Sequence, residues 1–161
     1  PESMSLDEGA MIEPLAVAVH AVRQAGDVEG KDICVLGAGP IGILVAQVAK
    51  GLGARKVMIT DVSDIRLEKA KECGADVCVN TRENDFAQAF VQCFGLDKAD
   101  VIYDCAGNNV TMGQAIANAR KGSTILSPGP HAQFFAGDHI LIVGDEAAYQ
   151  KTRQLLDERV Q

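Results

Sequence analysis

Nowhere in the 161 residues do two cysteines enclose the two-residue gap of zinc ribbons and redox dithiols. The five that are present, Cys34, Cys73, Cys78, Cys93 and Cys105, are odd in number, and several fall inside apolar runs. They read as reduced thiols packed as small hydrophobes in a cytoplasmic setting, without zinc. No apolar run approaches the eighteen or more residues of a membrane helix, and the opening PESMSLDEGAMIEP carries acids where a secretory leader needs bases. A chain neither exported nor embedded is the expectation. A basic stripe is also missing: the 15 Lys and Arg are scattered, and the net charge of -7 repels polyanions, which argues against nucleic acid as a partner. With no internal repeat, no low-complexity linker, 47% hydrophobic and 23% charged residues, the sequence predicts one globular domain over residues 1–161.

What is there is an alternation of helical and strand patterns. An amphipathic helix is expected from about Ser5 to Gln24, with Leu6, Ala10, Leu15, Val17, Val19 and Val22 as its apolar residues. Short apolar runs follow: ICVLG at 33, KVMIT at 56, DVCVN at 76, DVIYDC at 100, STIL at 123 and HILIV at 139. Their continuous apolar character suits strands covered on both faces, so the fold class is α/β, a doubly wound sheet of about six strands. Helices are predicted over 41–52, 64–73, 83–94, 110–119 and 146–159, with Ser63 and Asp145 capping two starts and Gly53, Gly74, Gly95 and Gly122 ending others. The stretch SPGPHAQFFAGD, residues 127–138, lacks a crossover helix and is near the minimum for a parallel connection. The last strand is therefore expected to lean antiparallel in an otherwise mostly parallel sheet.

The chemistry concentrates in ICVLGAGPIG. Gly37, Gly39 and Gly42 follow a strand and open a helix, the G-x-G-x-x-G arrangement in which the first glycine permits a sharp turn, the second lets backbone approach a pyrophosphate, and the third lets helix and strand pack closely. Pro40 and Ile41 open that helix, whose unpaired amides and positive dipole end suit phosphates. Asp61 ends the second run about twenty residues on, where a carboxylate accepts from both ribose hydroxyls and repels a 2′-phosphate. NAD is therefore expected rather than NADP. Val62 adjoins that acid, and Arg66, one helical turn further, is placed to flank the adenine. Cys105, Ala106 and Gly107 follow the fourth strand, at the edge where such sheets bind ligands. Asp104 reads as a buried, hydrogen-bonded strand end, and His20 as a core or interface histidine.

GAMIEPLAVAVHAVRQAG, VLGAGPIGILVAQVAKGLGA, VMITDVSDIRLEKAKECGAD and VIYDCAGN together resemble the coenzyme half of the zinc-dependent medium-chain dehydrogenases, in the sorbitol and polyol branch, over residues 6–125. The resemblance implies a Rossmann-type domain. It also implies that the catalytic zinc belongs to a separate domain, with Glu13 matching the family's E-P position near that metal. From Ser127 on, the pattern LSPGPHAQFFAGDHILIVGDEAA resembles the β-hydroxyacid dehydrogenases of the 6-phosphogluconate and 3-hydroxyisobutyrate type. A junction near residues 125–127 then reads as a chimera, natural or engineered, dividing the domain into 1–126 and 127–161. Ser127, Gly129 and His131 would at most touch a ligand.

The described motifs supply no zinc ligands and no Tyr-Lys or Lys-Asn pair, since neither Tyr103 nor Tyr149 has a suitably spaced lysine. The expectation is an NAD-binding domain without zinc and without catalytic activity of its own. Apolar residues of the first helix, around Met11 to Val19, make a homodimer the expected assembly.

Overall fold

A computed structural model describes residues 3–126 and 139–141. Among them α1 (Leu6–Gln24) precedes β1 (Asp32–Leu36), α2 (Pro40–Gly51), β2 (Lys56–Asp61), α3 (Asp64–Glu72), β3 (Val77–Asn80) and α4 (Phe86–Phe94). Then come β4 (Val101–Asp104), α5 (Asn109–Asn118), β5 (Thr124–Leu126) and β6 (His139–Leu141). The sheet order is β3-β2-β1-β4-β5-β6, and every pair runs parallel. The expected antiparallel lean of the last strand is thus corrected: β6 lies parallel to β5, with Thr124 opposite His139 and Leu126 opposite Leu141. The twelve residues 127–138 between them, outside the described residues, are just long enough for a parallel crossover.

Alternate strand residues feed two separate cores, as a sheet covered on both faces requires. Ile33 and Val35 of β1 join Val57, Ile59, Leu44, Val45 and Leu67 on the side of α1, α2 and α3. Cys34 and Leu36 join Met58, Ile102, Phe90 and Met112 on the side of α4 and α5. On that second side Phe86, Phe90 and Phe94, spaced by four, bring their rings into contact, with centroids 5.4 and 4.9 Å apart.

The helix starts differ from expectation in instructive ways. Helix α4 begins at Phe86 rather than Glu83. Residues 81–84 form turns that donate to the Asn80 carbonyl, from Glu83 N at 3.3 Å and Asn84 N at 3.0 Å, and Asp85 is the cap, accepting from Gln88 N at 2.8 Å. Ser63 stands at the cap of α3 but makes no side-chain bond there. Gly53 and Gly74 do leave their helices through positive φ, at 88° and 96°. The helix expected over 146–159, with Asp145 and Tyr149, lies outside the described residues.

Helix α1 packs on the body through its C-terminal part only. Ala18 and Val22 are buried, while Leu6, Leu15 and Val17, expected on the apolar face, are exposed. Tyr103 of β4 fixes this helix by donating its hydroxyl to the Val22 carbonyl at 3.3 Å. A capping box defines its start: Glu8 N donates to the Ser5 hydroxyl, and Ser5 N donates to the Glu8 carboxylate at 2.8 Å. At the opposite edge of the sheet from the glycine turn, Asp100 accepts from Asp32 N at 2.8 Å and pairs with Arg120, while Arg55 Nε donates to Asp32 at 2.9 Å. These carboxylates hold the beginnings of β1 and β4 together.

Candidate functional site

The strand order turns back at β1: β2 lies on one side of it and β4 on the other, so the loops leaving β1, β2 and β4 meet at one edge. The three glycines of the β1–α2 loop prove to have three different reasons. Gly37 has φ 102°, and a Cβ there would come within 3.1 Å of Ala106, so the turn itself requires glycine. At Gly42 a Cβ would meet the Gly37 carbonyl oxygen at 1.9 Å, so the close seating of α2 on the turn requires it. Gly39 is unlike both. Its φ of -71° and ψ of 177° suit any residue, and a Cβ there would meet nothing within 4 Å. The fold leaves open space in front of α2 without needing a glycine to do so.

That helix start also has no side-chain cap. Ser5, Asp85 and Asn108 accept backbone N–H groups at the starts of α1, α4 and α5, whereas Gly39 offers none and Pro40 follows at the first helical position. The leading amides of α2 thus face the open space with the positive end of the helix dipole behind them.

Asp61, at the end of β2, is buried and closes the side of this space. One of its oxygens accepts from Ala38 N at 2.8 Å; the other accepts from Val62 N at 2.8 Å and Ser63 N at 3.0 Å. Asp61 therefore ties the glycine turn to the two residues that lead into α3, whose start has no side-chain cap. Three of a carboxylate's roughly four acceptor directions are filled by these amides. Arg66 Nη1 stands 3.7 Å from Asp61 on an exposed side chain, and Val62 is 47% exposed beside them. Asn80, paired in register with Asp61, donates from its side-chain amide to Asp64 at 2.7 Å and so holds the first turn of α3. Sequence reading passed over Asn80 and Ala38, because neither the Asn80–Asp64 nor the Ala38–Asp61 contact follows from local spacing.

Across the space, Asp104 repeats the device on β4. It is buried, accepts from Ala106 N at 3.1 Å and Gly107 N at 2.9 Å, and its second oxygen accepts from the Thr111 hydroxyl at 3.2 Å. This fixes the Cys105–Gly107 turn beside Gly37. Burial, and next the neighbouring Asp104 charge, push the Cys105 thiol up to about 12, so it stays protonated at neutral pH. The N-x-x-T capping box of Asn108 and Thr111, which sets the start of α5, was present in the sequence and went unread.

The other singled-out residues lie elsewhere. His20 is exposed on α1, 3.0 Å from the Gln24 amide, and is not a core residue as one reading had it. Glu13 is exposed on the same helix. Of the cysteines, Cys34 and Cys93 are buried, while Cys73, Cys78 and Cys105 are partly covered, and all five are free thiols. No group of three or more His, Cys, Asp or Glu among the described residues could hold a metal ion, so these residues do not fit a zinc site. Among the described residues no helix is long and apolar enough to cross a membrane. Ser127, Gly129 and His131 lie outside the described residues.

A six-stranded parallel sheet in this order, with a glycine turn opening α2 at its switch point, is a Rossmann-type α/β fold. The profile of the zinc-binding dehydrogenases matches residues 40–148, and the chain belongs to that family. The match runs past residues 125–127, where a junction was expected. Sorbitol dehydrogenase 1 of Saccharomyces cerevisiae is 36% identical over 135 residues, covering 80% of this chain and 38% of that protein. L-idonate 5-dehydrogenase of Vitis vinifera is 38% identical over 133 residues, covering 80% of this chain and 36% of that one. The chain thus spans under two-fifths of the length of these relatives.

Among solved structures, an Escherichia coli oxidoreductase of unknown specificity superposes with a TM-score of 0.79 at 33% identity, over 88% of this chain and 43% of that one. An E. coli alcohol dehydrogenase complexed with NADH gives 0.73 at 30% identity, over 89% and 41%. A zinc-binding dehydrogenase of Sinorhizobium meliloti bound to NADP gives 0.69 at 29% identity, over 89% and 42%. The expectation of a chain that is not an enzyme is overturned: relatives matching four-fifths of it are named dehydrogenases, and so are its structural neighbours. The expectation drew on the catalytic groups missing from these motifs, and the relatives are far longer than the stretch in which those groups were sought.

Proposed function

We propose that the chain binds NAD along the carboxyl edge of its sheet and serves the coenzyme side of a polyol dehydrogenase reaction, the oxidation of a secondary hydroxyl on a sugar alcohol or sugar acid. The observation that carries this reading is Gly39: a glycine that neither backbone angle nor packing demands, set before an uncapped helix start. A pyrophosphate there accepts from the α2 amides and needs the volume that a Cβ would fill. Gly37 and Gly42 shape the turn, and Pro40 and Ile41 present the helix end. Asp61 accepts from one ribose hydroxyl with its remaining lone-pair direction. Val62 and Arg66 flank the adenine, and Cys105, Ala106 and Gly107 offer backbone to the nicotinamide ribose. Bound NAD supplies the hydride acceptor; the chain's own groups bind it, orient it and set its selectivity.

The preference for NAD rests on Asp61, whose buried charge opposes a 2′-phosphate. Structural neighbours carry NADH in one case and NADP in another, so likeness alone does not decide between them. The polyol assignment rests on the names of the sorbitol and L-idonate dehydrogenases. Five free thiols support a reducing, cytoplasmic compartment. For residues 127–161, the pattern SPG followed by ILIVGDEAA supports a β-hydroxyacid-dehydrogenase-like piece, natural or engineered; the family match running to residue 148 supports the rival reading of a single lineage.

Titration with NADH and NADPH, followed by nicotinamide fluorescence and by melting, tests the coenzyme reading. Saturable NADH binding is expected, with about 2.7 kcal/mol of added stability at a hundred times the dissociation constant. NADPH is expected to bind at least tenfold more weakly. A chain whose fluorescence and melting respond to neither nucleotide sinks the proposal.

A further inference from the structure

Helix α3 begins without the side-chain cap that Ser5, Asp85 and Asn108 give to α1, α4 and α5, since Ser63 makes no bond there. Two strand ends hold its start instead. From β2, Asp61 accepts from Val62 N at 2.8 Å and Ser63 N at 3.0 Å. From β3, Asn80, opposite Asp61 in the register and 8% exposed, donates from its side-chain amide to the Asp64 carboxylate at 2.7 Å. The oxygen of that side chain accepts from Arg82 N at 3.0 Å, and the Asn80 carbonyl accepts from Asn84 N at 3.0 Å, so the turn after β3 fixes Asn80 in its turn. Thr81 N, next in sequence, donates to the Asp61 carbonyl at 3.0 Å. Asp64 is exposed, so the bond from Asn80 ties a solvent-side residue of the first turn of α3 to the buried end of β3.

We propose that Asn80 is a positioning residue for coenzyme selectivity: by holding Asp64 it keeps Arg66 beside Asp61 and away from a 2′-phosphate. The inference rests on the NAD reading of this edge, and adds to it a residue that acts through Asp64 and Arg66 rather than through contact with coenzyme. Arg66 lies two residues beyond Asp64 in the same first turn, and its Nη1 stands 3.7 Å from Asp61 with 61% of the side chain exposed. A pair so open to solvent holds little by itself, so the guanidinium stays there because the helix start beneath it is held. A 2′-phosphate offers Arg66 shorter, charge-assisted bonds. Reaching them takes movement of the α3 start, which the Asn80–Asp64 bond opposes. Asp61 repels the phosphate by charge, and Asn80 denies it the nearby cation by position.

The ratio of the NADH and NADPH dissociation constants, read by nicotinamide fluorescence, tests it, because a loss of stability alone does not move that ratio. Asn80→Ala is expected to narrow the ratio about fivefold, on the scale that one hydrogen bond sets, with NADPH binding no weaker than in wild type. Asn80 is buried, so Asp64→Ala breaks the same bond from the exposed side, and is expected to narrow the ratio equally. Asp64→Asn removes the charge but keeps an oxygen for Asn80, and is expected to keep the wild-type ratio. Asn80→Ala and Asp64→Ala combined are expected to narrow it no further than either alone, as removal of both ends of one interaction requires. Where the wild-type chain binds NADH, an unchanged ratio in Asn80→Ala and Asp64→Ala overturns this inference and leaves the coenzyme reading standing. Narrowing as large in Asp64→Asn as in Asp64→Ala, or additive narrowing in the double variant, does the same. A wild-type chain that binds neither nucleotide overturns both.

Discussion

Gly37, Gly39 and Gly42 are identical in the sequence and unequal in the structure, and substitution separates their roles. Gly42→Ala forces a Cβ to 1.9 Å from a backbone oxygen, so α2 must shift or the turn must open, at a cost of about 3 kcal/mol or more. Gly37→Ala meets both a positive φ and a 3.1 Å contact, and is expected to cost about 1–3 kcal/mol. Gly39→Val meets neither, and its melting is expected to stay within about 1 kcal/mol of wild type. If pyrophosphate sits before α2, that variant nonetheless loses NADH binding at least a hundredfold. Calorimetric titration of the folded variant checks this; retention of wild-type affinity would remove the phosphate from that place. Asp61→Ala is a poorer probe, although it is the obvious one. It strips an acceptor from Ala38, Val62 and Ser63 amides together, so a loss of binding would mix a disordered turn with a missing ribose contact.

At the scale of elements, what was legible in the sequence is what depends on local pattern. All six strand runs appear within a residue or two of their expected places, because a parallel strand covered on both sides is apolar throughout and needs no knowledge of its neighbours. The glycine turn was legible for the same reason. What was not legible depends on contacts distant in sequence: Asp61 accepting from Ala38 in the glycine turn, Asn80 gripping Asp64, and the direction of β6, which the length of its connection left undecided. The face of α1 was misjudged because its apolar residues exceed those that its C-terminal part buries against the body. The start of α4 shows competition between near neighbours, with Asp85 prevailing over Glu83 by accepting from Gln88 N. Two substitutions weigh such elements. Phe90→Ala, at the middle of the three-ring row with no exposed surface, is expected to cost about 3–5 kcal/mol in chemical denaturation. Asn108→Ala removes the acceptor for Val110 and Thr111 amides and is expected to cost about 1 kcal/mol, with NADH affinity falling only as far as the Cys105–Gly107 turn follows α5.

For the molecule as a whole, the two cores on either side of the sheet make folding sensitive to alkali. Burial pushes the Cys93 thiol up to about 11 and the Cys105 thiol up to about 12 from an ordinary 9.0, and raises Cys34 and the Tyr103 hydroxyl as well. A folded thiol that keeps its proton longer than an unfolded one means that the native state binds more protons at high pH, so stability falls as pH rises. The contribution is complete below pH 9, where both states are protonated, and is lost progressively from there until the folded thiol itself ionises. Each such thiol takes away up to about 1.4 kcal/mol per pH unit in that window. Unfolding by urea at pH 8, 9, 10 and 11 is therefore expected to give a stability level up to about pH 9 and a steepening loss beyond it. Cys105→Ala isolates one thiol: relative to its own value at pH 8, it is expected to lose less stability by pH 11 than wild type, by about one thiol's share. Parallel curves for the two proteins would mean that the Cys105 proton is not held by the fold, and that the β4 turn beside the glycine loop is wetter than its packing requires.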